Sequence, residues 1–197
     1  MPHRLQVILA STRPGRKGPL IGRWFAEYAR NNSAFEIDVA DLSEFDLPLF
    51  DEPHHPVMQT YEHEHTRRWS EAVDRADAFV FVTPEYDHTA PASLINALTY
   101  LVKEWNYKPA GFVSYGGVSG GLRGVQSLKP MMTALKLVPI PEAVTIPGYG
   151  EFLDENGFNA NELHEKGAAD MLSELDKWAG ALKGIRSPQV DKSSQAA

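Results

Sequence analysis

At 197 residues the chain is long enough to bury one substantial core, and a single domain is the default at that size. It contains no cysteine, which excludes disulfides and thiolate chemistry, and its formal net charge of −7 argues against a general nucleic-acid or anionic-membrane binder. No apolar run approaches the roughly 18 residues of a membrane span, and residues 1–4 lead straight into a strand, so a cytoplasmic, non-membrane protein is expected.

The charge is uneven. Residues 1–30 hold Arg4, Arg13, Arg16, Lys17, Arg23 and Arg30 against the single acid Glu27, which suggests a small anionic ligand near the amino end. Residues 5–9 read as a buried strand, and Trp24, Phe25, Tyr28 and Ala29 after Pro19 recur at helical spacing. The loop between them is suited to a phosphate. Ser11 offers a hydroxyl, Arg13 a bidentate cation, and the first helical turn its free amides, expected at Leu20 and Ile21, with the positive end of the helix dipole behind them. A solvated basic loop is the plain alternative. Neither G-x-x-x-x-G-K-[ST] nor G-x-G-x-x-G occurs, so a phosphate monoester fits better than a pyrophosphate.

Residues 35–40 alternate and read as a strand near an edge. The connection 41–57 carries Leu42, Phe45, Leu47, Leu49 and Phe50, which suggests a covering flap or an oligomer contact. A helix over about 60–76 sets Trp69, Ala72, Val73 and Ala76 on one face. His54, His55, His63 and His65 match no known ligand spacing and are read as solvated, so no metal is expected.

The run 78–82 (Ala-Phe-Val-Phe-Val) has the composition of a strand buried on both faces. It passes into the stiff, polar loop 83–91, Thr-Pro-Glu-Tyr-Asp-His-Thr-Ala-Pro, and a helix over 91–102 with Pro91 as its first residue. A further buried strand, 110–115, runs into Gly116-Gly117-Val118-Ser119-Gly120-Gly121, where bare backbone suits the close approach of a flat ligand. A helix over about 122–136 and a last strand region, 138–140 with 143–146, follow. Residues 148–161 read as a mobile acidic loop. Asn161 then caps a final helix with Leu163, Ala168, Met171, Leu172, Leu175, Trp178 and Leu182 on its buried side. Residues 1–185 form the expected single domain and 186–197 the expected disordered tail.

About five strand–helix alternations predict an α/β, three-layer, doubly wound parallel sheet of the flavodoxin-like order 2-1-3-4-5. In that order the loops after strands one, three and four are neighbours. A flat aromatic ligand with a phosphate tail satisfies all three, and flavin mononucleotide (FMN) has that shape.

Three stretches together, A-S-T-R-P-G-R, T-P-E-Y-D-H-x-x-P-A-x-L-x-N-A-L and S-Y-G-G-x-S-G-G, resemble the NADPH-dependent FMN reductase family over residues 4–180. The resemblance implies phosphate binding by Ser11, Arg13 and the amides around Gly18, Leu20 and Ile21. It places Pro84, Glu85, Tyr86 and Asp87 along the ring edge, and Tyr115, Gly116, Gly117, Ser119, Gly120 and Gly121 at the pyrimidine side. It further implies a homodimer or homotetramer in which NADPH or NADH passes hydride through FMN to small-molecule acceptors: flavins, quinones, azo compounds or metal oxyanions. The cofactor carries the chemistry, so no catalytic side chain is expected. Ala10 and Asp87 stand where the family more often has Gly and Asn.

Two other readings compete. Gly117-Val118-Ser119-Gly120-Gly121 is a literal G-x-S-x-G, so a serine hydrolase built on Ser119 with Asp154 and His164 is an alternative. A non-enzymatic flavin electron carrier or sensor is the other.

Overall fold

The computed structural model describes residues 2–186. In chain order the elements are β1 (Arg4–Leu9), α1 (Gly18–Asn32), β2 (Glu36–Asp41), α2 (Leu42–Phe45), α3 (Glu64–Asp74), β3 (Ala78–Pro84) and α4 (Ala92–Thr99). Then come β4 (Pro109–Gly116), α5 (Leu122–Ala134), β5 (Val138–Pro147), the short hairpin β6 (Leu153–Asp154) and β7 (Gly157–Phe158), and α6 (Glu162–Arg186). The main sheet is parallel throughout, in the order β2-β1-β3-β4-β5, which is the flavodoxin-like topology predicted above.

The continuous apolar run of β3 is explained by its two faces. Ala78, Val80 and Val82 pack with Ile21, Phe25, Met171 and Leu175 of α1 and α6. Phe79 and Phe81 point the other way, into a core with Trp69, Tyr100, Trp105 and Leu128. Successive side chains of a strand alternate, so a strand covered by helices on both faces must be apolar at every position. Trp69 at the centre of the second core satisfies its ring N–H on the Ala97 carbonyl at 2.9 Å.

Several boundaries differ from the expected ones for local reasons. Pro91 has ψ 141° and precedes α4 as its cap, so the helix begins one residue later than predicted and ends at Thr99. Helix α3 begins at Glu64, not Thr60: Gln59 adopts φ 54°, and the Glu52 carboxylate takes the amides of Glu62 and His63 at 2.8 and 3.1 Å. On α6 the buried stripe is His164, Ala168, Met171, Leu172, Leu175 and Ala179. Leu163 and Trp178, expected inside, flank that stripe and are exposed. Arg186 closes α6 and pairs with Asp77 at 2.9 Å, so it is not part of a tail; residues 187–197 lie outside the described residues.

Of the four histidines, His54 and His55 are exposed, as expected, while His63 and His65 are half-buried. His63 and His65 stack, with ring centroids 5.2 Å apart, and His65 Nε2 lies 3.0 Å from Asp51 Oδ1. His54 lies 3.3 Å from Glu62, and His55 Nδ1 accepts the Val57 amide.

The segment expected to be a mobile loop, 148–161, is a 3-10 turn followed by the β6–β7 hairpin. Phe152 and Phe158 fasten it to Trp24 and His164, with ring centroids 4.8 to 6.4 Å apart. His164 Nδ1 accepts the Asn161 amide at 3.3 Å while Asn161 Oδ1 accepts the His164 amide at 3.0 Å, a reciprocal cap for α6. Burial lowers the His164 pKa below its ordinary 6.5. The folded state therefore favours the neutral ring: its contribution is complete above the unfolded pKa and is lost as pH falls through it toward the folded value. Wild-type melting temperature is expected to drop between about pH 7 and about pH 5, and His164→Gln, which does not titrate, is expected to flatten that drop. Parallel melting curves for the two proteins would contradict the assignment.

Candidate flavin site

The loops after β1, β3 and β4 meet at the carboxyl edge of the sheet, where ligands of open α/β folds bind. Arg13, Glu85, Tyr86 and Asp87 line an open cleft of about 490 Å³ there, inside the roughly 300–1,000 Å³ range of small-molecule sites. A second cavity of about 470 Å³ lies on the far side of the β1 loop, between Thr12, α2 and the start of α4. It touches neither Arg13 nor the Tyr86–Asp87 turn, whereas the first cleft joins the β1 loop to the β3 loop, and the glycine loop neighbours the latter, a Cβ on Gly116 standing 3.7 Å from Glu85 Cβ.

The β1 loop is built by Arg16. Its guanidinium donates to the Ser11 carbonyl at 2.7 Å, to both Asp41 oxygens at 2.5 and 2.7 Å, and to Ser43 Oγ at 2.7 Å. Burial pushes the Asp41 carboxyl up, but the hydrogen bonds from Arg16 and Ser43 outweigh it and hold the group below its ordinary value. Of the basic cluster seen in the sequence, Arg16 is thus committed to the fold. Arg13 is exposed at the cleft, and its guanidinium has no ion-pair partner among the described residues.

The Leu20 and Ile21 amides, expected to be free, are engaged within the helix start. Lys17 caps α1, which places Gly18 and Pro19 first, and the Leu20 and Ile21 amides both donate to the Lys17 carbonyl, at 3.0 and 3.4 Å. Pro19 has no N–H, and Gly18 is buried with its amide turned to the Tyr115 hydroxyl. It lies against Tyr115: a Cβ on Gly18 would stand 2.9 Å from the Tyr115 hydroxyl. Burial, with Tyr86 and Tyr149 nearby, raises the Tyr115 pKa and keeps the phenol neutral.

In the β3 loop, Tyr86 and Thr89 exchange both backbone hydrogen bonds at 2.9 Å around Asp87 and His88, whose φ angles are 48° and 68°. Two positive φ values make this a type I′ turn. It presents Asp87 to the cleft and aims Tyr86, whose hydroxyl lies 2.7 Å from Ser11 Oγ. Glu85 also borders the cleft, but its carboxylate reaches to the glycine loop and the start of α5. Burial raises its pKa, but Ser119, Arg123 and the Gly124 amide overcome this and keep it ionised. Pro84 is buried at the end of β3 beside Tyr115 of β4.

The glycine loop is less bare than its composition suggests. A Cβ on Gly120 would stand 2.6 Å from Thr145, one on Gly121 2.8 Å from the Tyr115 amide, and one on Gly116 3.1 Å from the Gly121 amide. These three are required by the protein's own packing. Gly117, with nothing within 4 Å, is the one open to a ligand face, and the Gly120 amide is turned inward to the Gly117 carbonyl at 3.2 Å. The hydrolase alternative is not assembled. Ser119 Oγ donates to Glu85, His164 sits in its aromatic cage, and Asp154 holds the hairpin turn through the Asn156 and Gly157 amides.

Features of these loops suit FMN: a free cation at Arg13 in an open cleft with Tyr86 and Asp87, and bare backbone at Gly117 in the glycine loop. Fold and site together define a flavodoxin-like protein with a nucleotide-sized cleft at its switch point. Residues 3–151 match the NADPH-dependent FMN reductase family, and the chain belongs to that family. An NAD(P)H-dependent FMN reductase of Schizosaccharomyces pombe is 40% identical over 184 residues, spanning 91% of this chain and 85% of that protein. A quinone reductase of Pseudomonas putida is 28% identical, over 92% and 95% of the two chains. Among solved structures, the flavoenzyme FerB, an NAD(P)H:(acceptor) oxidoreductase of Paracoccus denitrificans, superposes with TM-score 0.71 at 20% identity over 91% and 98%, a likeness of fold. The chain is therefore an FMN-dependent NAD(P)H oxidoreductase. Among the described residues no helix is long and apolar enough to cross a membrane.

Proposed function

We propose that the 490 Å³ cleft holds FMN with its phosphate at Ser11, Arg13 and Gly18, its ring beside Tyr86 and Asp87, and its pyrimidine side along residues 115–121. When bound, FMN supplies the hydride relay between NAD(P)H and a small-molecule acceptor, as in the quinone and flavin reductases the chain is similar to. The protein binds and orients: Arg13 neutralises the anionic tail, and the I′ turn fixes Tyr86 at the ring. The single observation carrying this reading is a partnerless Arg13 at one end of a cleft whose other end is the Tyr86–Asp87 turn. Anaerobic addition of NADPH, and separately NADH, to the yellow holoprotein is expected to bleach it. Retention of the colour with both would overturn the reading.

A cytoplasmic homodimer or homotetramer is the form proposed. Leu49 is 84% exposed, and Phe50 and Ile95 are exposed beside it where Asn96 grips the Pro48 carbonyl and the Phe50 amide at 2.6 and 3.0 Å. An exposed apolar patch of this kind, at the rim of the second cavity, is what a second copy covers.

Asp87 tunes the site. Asn tolerates the left-handed backbone that Asp87 adopts at φ 48°, so Asp87→Asn changes charge without changing the turn. Removing a negative charge near the ring favours the more negative, reduced side of the couple. The midpoint potential is expected to rise, and an unchanged or lower value would remove Asp87 from the ring's surroundings.

A further inference from the structure

The glycine loop leads into α5 without capping it. Gly121, the residue before the helix, has φ 87° and no side chain with which to take an amide. The first amides of a helix have no partners inside it. Here Leu122 N finds the Ser119 carbonyl at 3.1 Å, and Val125 N the Gly121 carbonyl at 3.1 Å. The two between them, Arg123 N and Gly124 N, donate to Glu85 Oε2 at 3.0 and 3.2 Å.

Glu85 belongs to the loop after β3, 38 residues earlier in the chain than Arg123. The same oxygen accepts Ser119 Oγ at 2.8 Å, while Oε1 accepts Arg123 Nε at 2.7 Å and lies 2.6 Å from its terminal nitrogen. The side chain is only 6% exposed. A carboxylate taken that far from water needs a full set of donors, and removing any one leaves the rest strongly unbalanced. A second tie runs in parallel: Ser127 Oγ lies 3.4 Å from both the Ala90 amide and Thr89 Oγ1.

We propose that Glu85 is a positioning residue, not a ligand contact: its carboxylate caps α5 from a different loop and thereby fixes the separation of the two walls that hold the flavin ring. The cap stands on geometry alone; its effect on the ring rests on the FMN reading above. Two consequences follow for neighbouring side chains. Arg123 is neutralised by the bracket and does not serve as a phosphate cation. Ser119 has its one proton on Glu85 and accepts from Arg123 at 3.2 Å, so toward a ligand it acts only as an acceptor.

The test uses wild type, Glu85→Ala, Glu85→Gln, Arg123→Gln and the Glu85→Gln/Arg123→Gln double variant, read by amide hydrogen exchange of the apoprotein and by FMN titration. Exchange at the Arg123 and Gly124 amides is expected to quicken by about tenfold or more in both Glu85 single variants. FMN affinity is expected to fall by about fivefold or more in Glu85→Gln, with the double variant no weaker than that single one. Should Glu85→Ala fail to fold, Glu85→Gln, which keeps an acceptor oxygen, carries the test. Unchanged exchange in Glu85→Gln overturns the cap. Additive losses of FMN affinity overturn the bracket, because they mean that each residue meets the ligand separately. If exchange quickens but wild type itself takes up no FMN, the cap is upheld and the flavin reading fails.

Discussion

Arg13→Ala is expected to weaken FMN binding by about 10- to 100-fold. A hydrogen bond to a charged group contributes roughly 1.5–3 kcal/mol, and each 1.4 kcal/mol is a factor of ten in affinity. The estimate applies to Arg13 and not to Arg16, whose guanidinium is spent on Ser11, Asp41 and Ser43. Arg16→Ala is instead expected to act through the loop, lowering the melting temperature of the apoprotein as well as the affinity. Arg13→Lys keeps the charge but loses the planar fork, so it falls between wild type and alanine. Fluorescence titration of apoprotein with FMN measures all three. An Arg13→Ala dissociation constant within twofold of wild type would mean that the phosphate lies elsewhere.

Gly121→Ala is expected to cost about 2–6 kcal/mol of stability. Holding a non-glycine residue in a sparsely populated backbone region costs about 1–3 kcal/mol, and overpacking adds about 1–3. Both apply here: φ is 87°, and the new methyl would stand 2.8 Å from the Tyr115 amide and 2.9 Å from Ser114 Cβ. For a domain of this size that is a fall in melting temperature of roughly 4–24 °C. Gly117→Ala is the control, since nothing lies within 4 Å of the added methyl, and it is expected to stay within about 0.5 kcal/mol of wild type. Thermal denaturation of the two apoproteins separates them. Equal losses would mean that the glycines serve a common flexibility and not specific packing.

The elements that sequence made legible are those whose signal is local. The runs at β1, β3 and β4 are apolar at nearly every position because helices cover both faces, and a polar, proline- or glycine-rich loop follows each of them. That was enough for the strand order and for the three loops that meet. What was not legible depends on partners distant in the chain. Glu85 looks like a ring-edge contact by its place between Pro84 and Tyr86, yet its donors come from residues 119–124. Leu20 and Ile21 look free until the helix start is fixed at Gly18, one residue before Pro19, so that both amides reach the Lys17 carbonyl. The 148–161 segment looks loose by its glycines and acids, but Phe158 finds Trp24, more than a hundred residues away, and Phe152 packs on Phe158 and His164. Leu163 and Trp178 show the limit of apolar counting on a helix, since a stripe set by His164 and two small alanines leaves them at its margin.

The convergence of the β1, β3 and β4 loops on one ligand is tested most directly by adding FMN to the apoprotein while following flavin fluorescence, then melting the product. The account predicts saturable quenching at one FMN per chain and a melting temperature that climbs with FMN concentration, as it must for a ligand bound only by the folded state. Fluorescence that tracks free FMN throughout, with no change in melting, would contradict it.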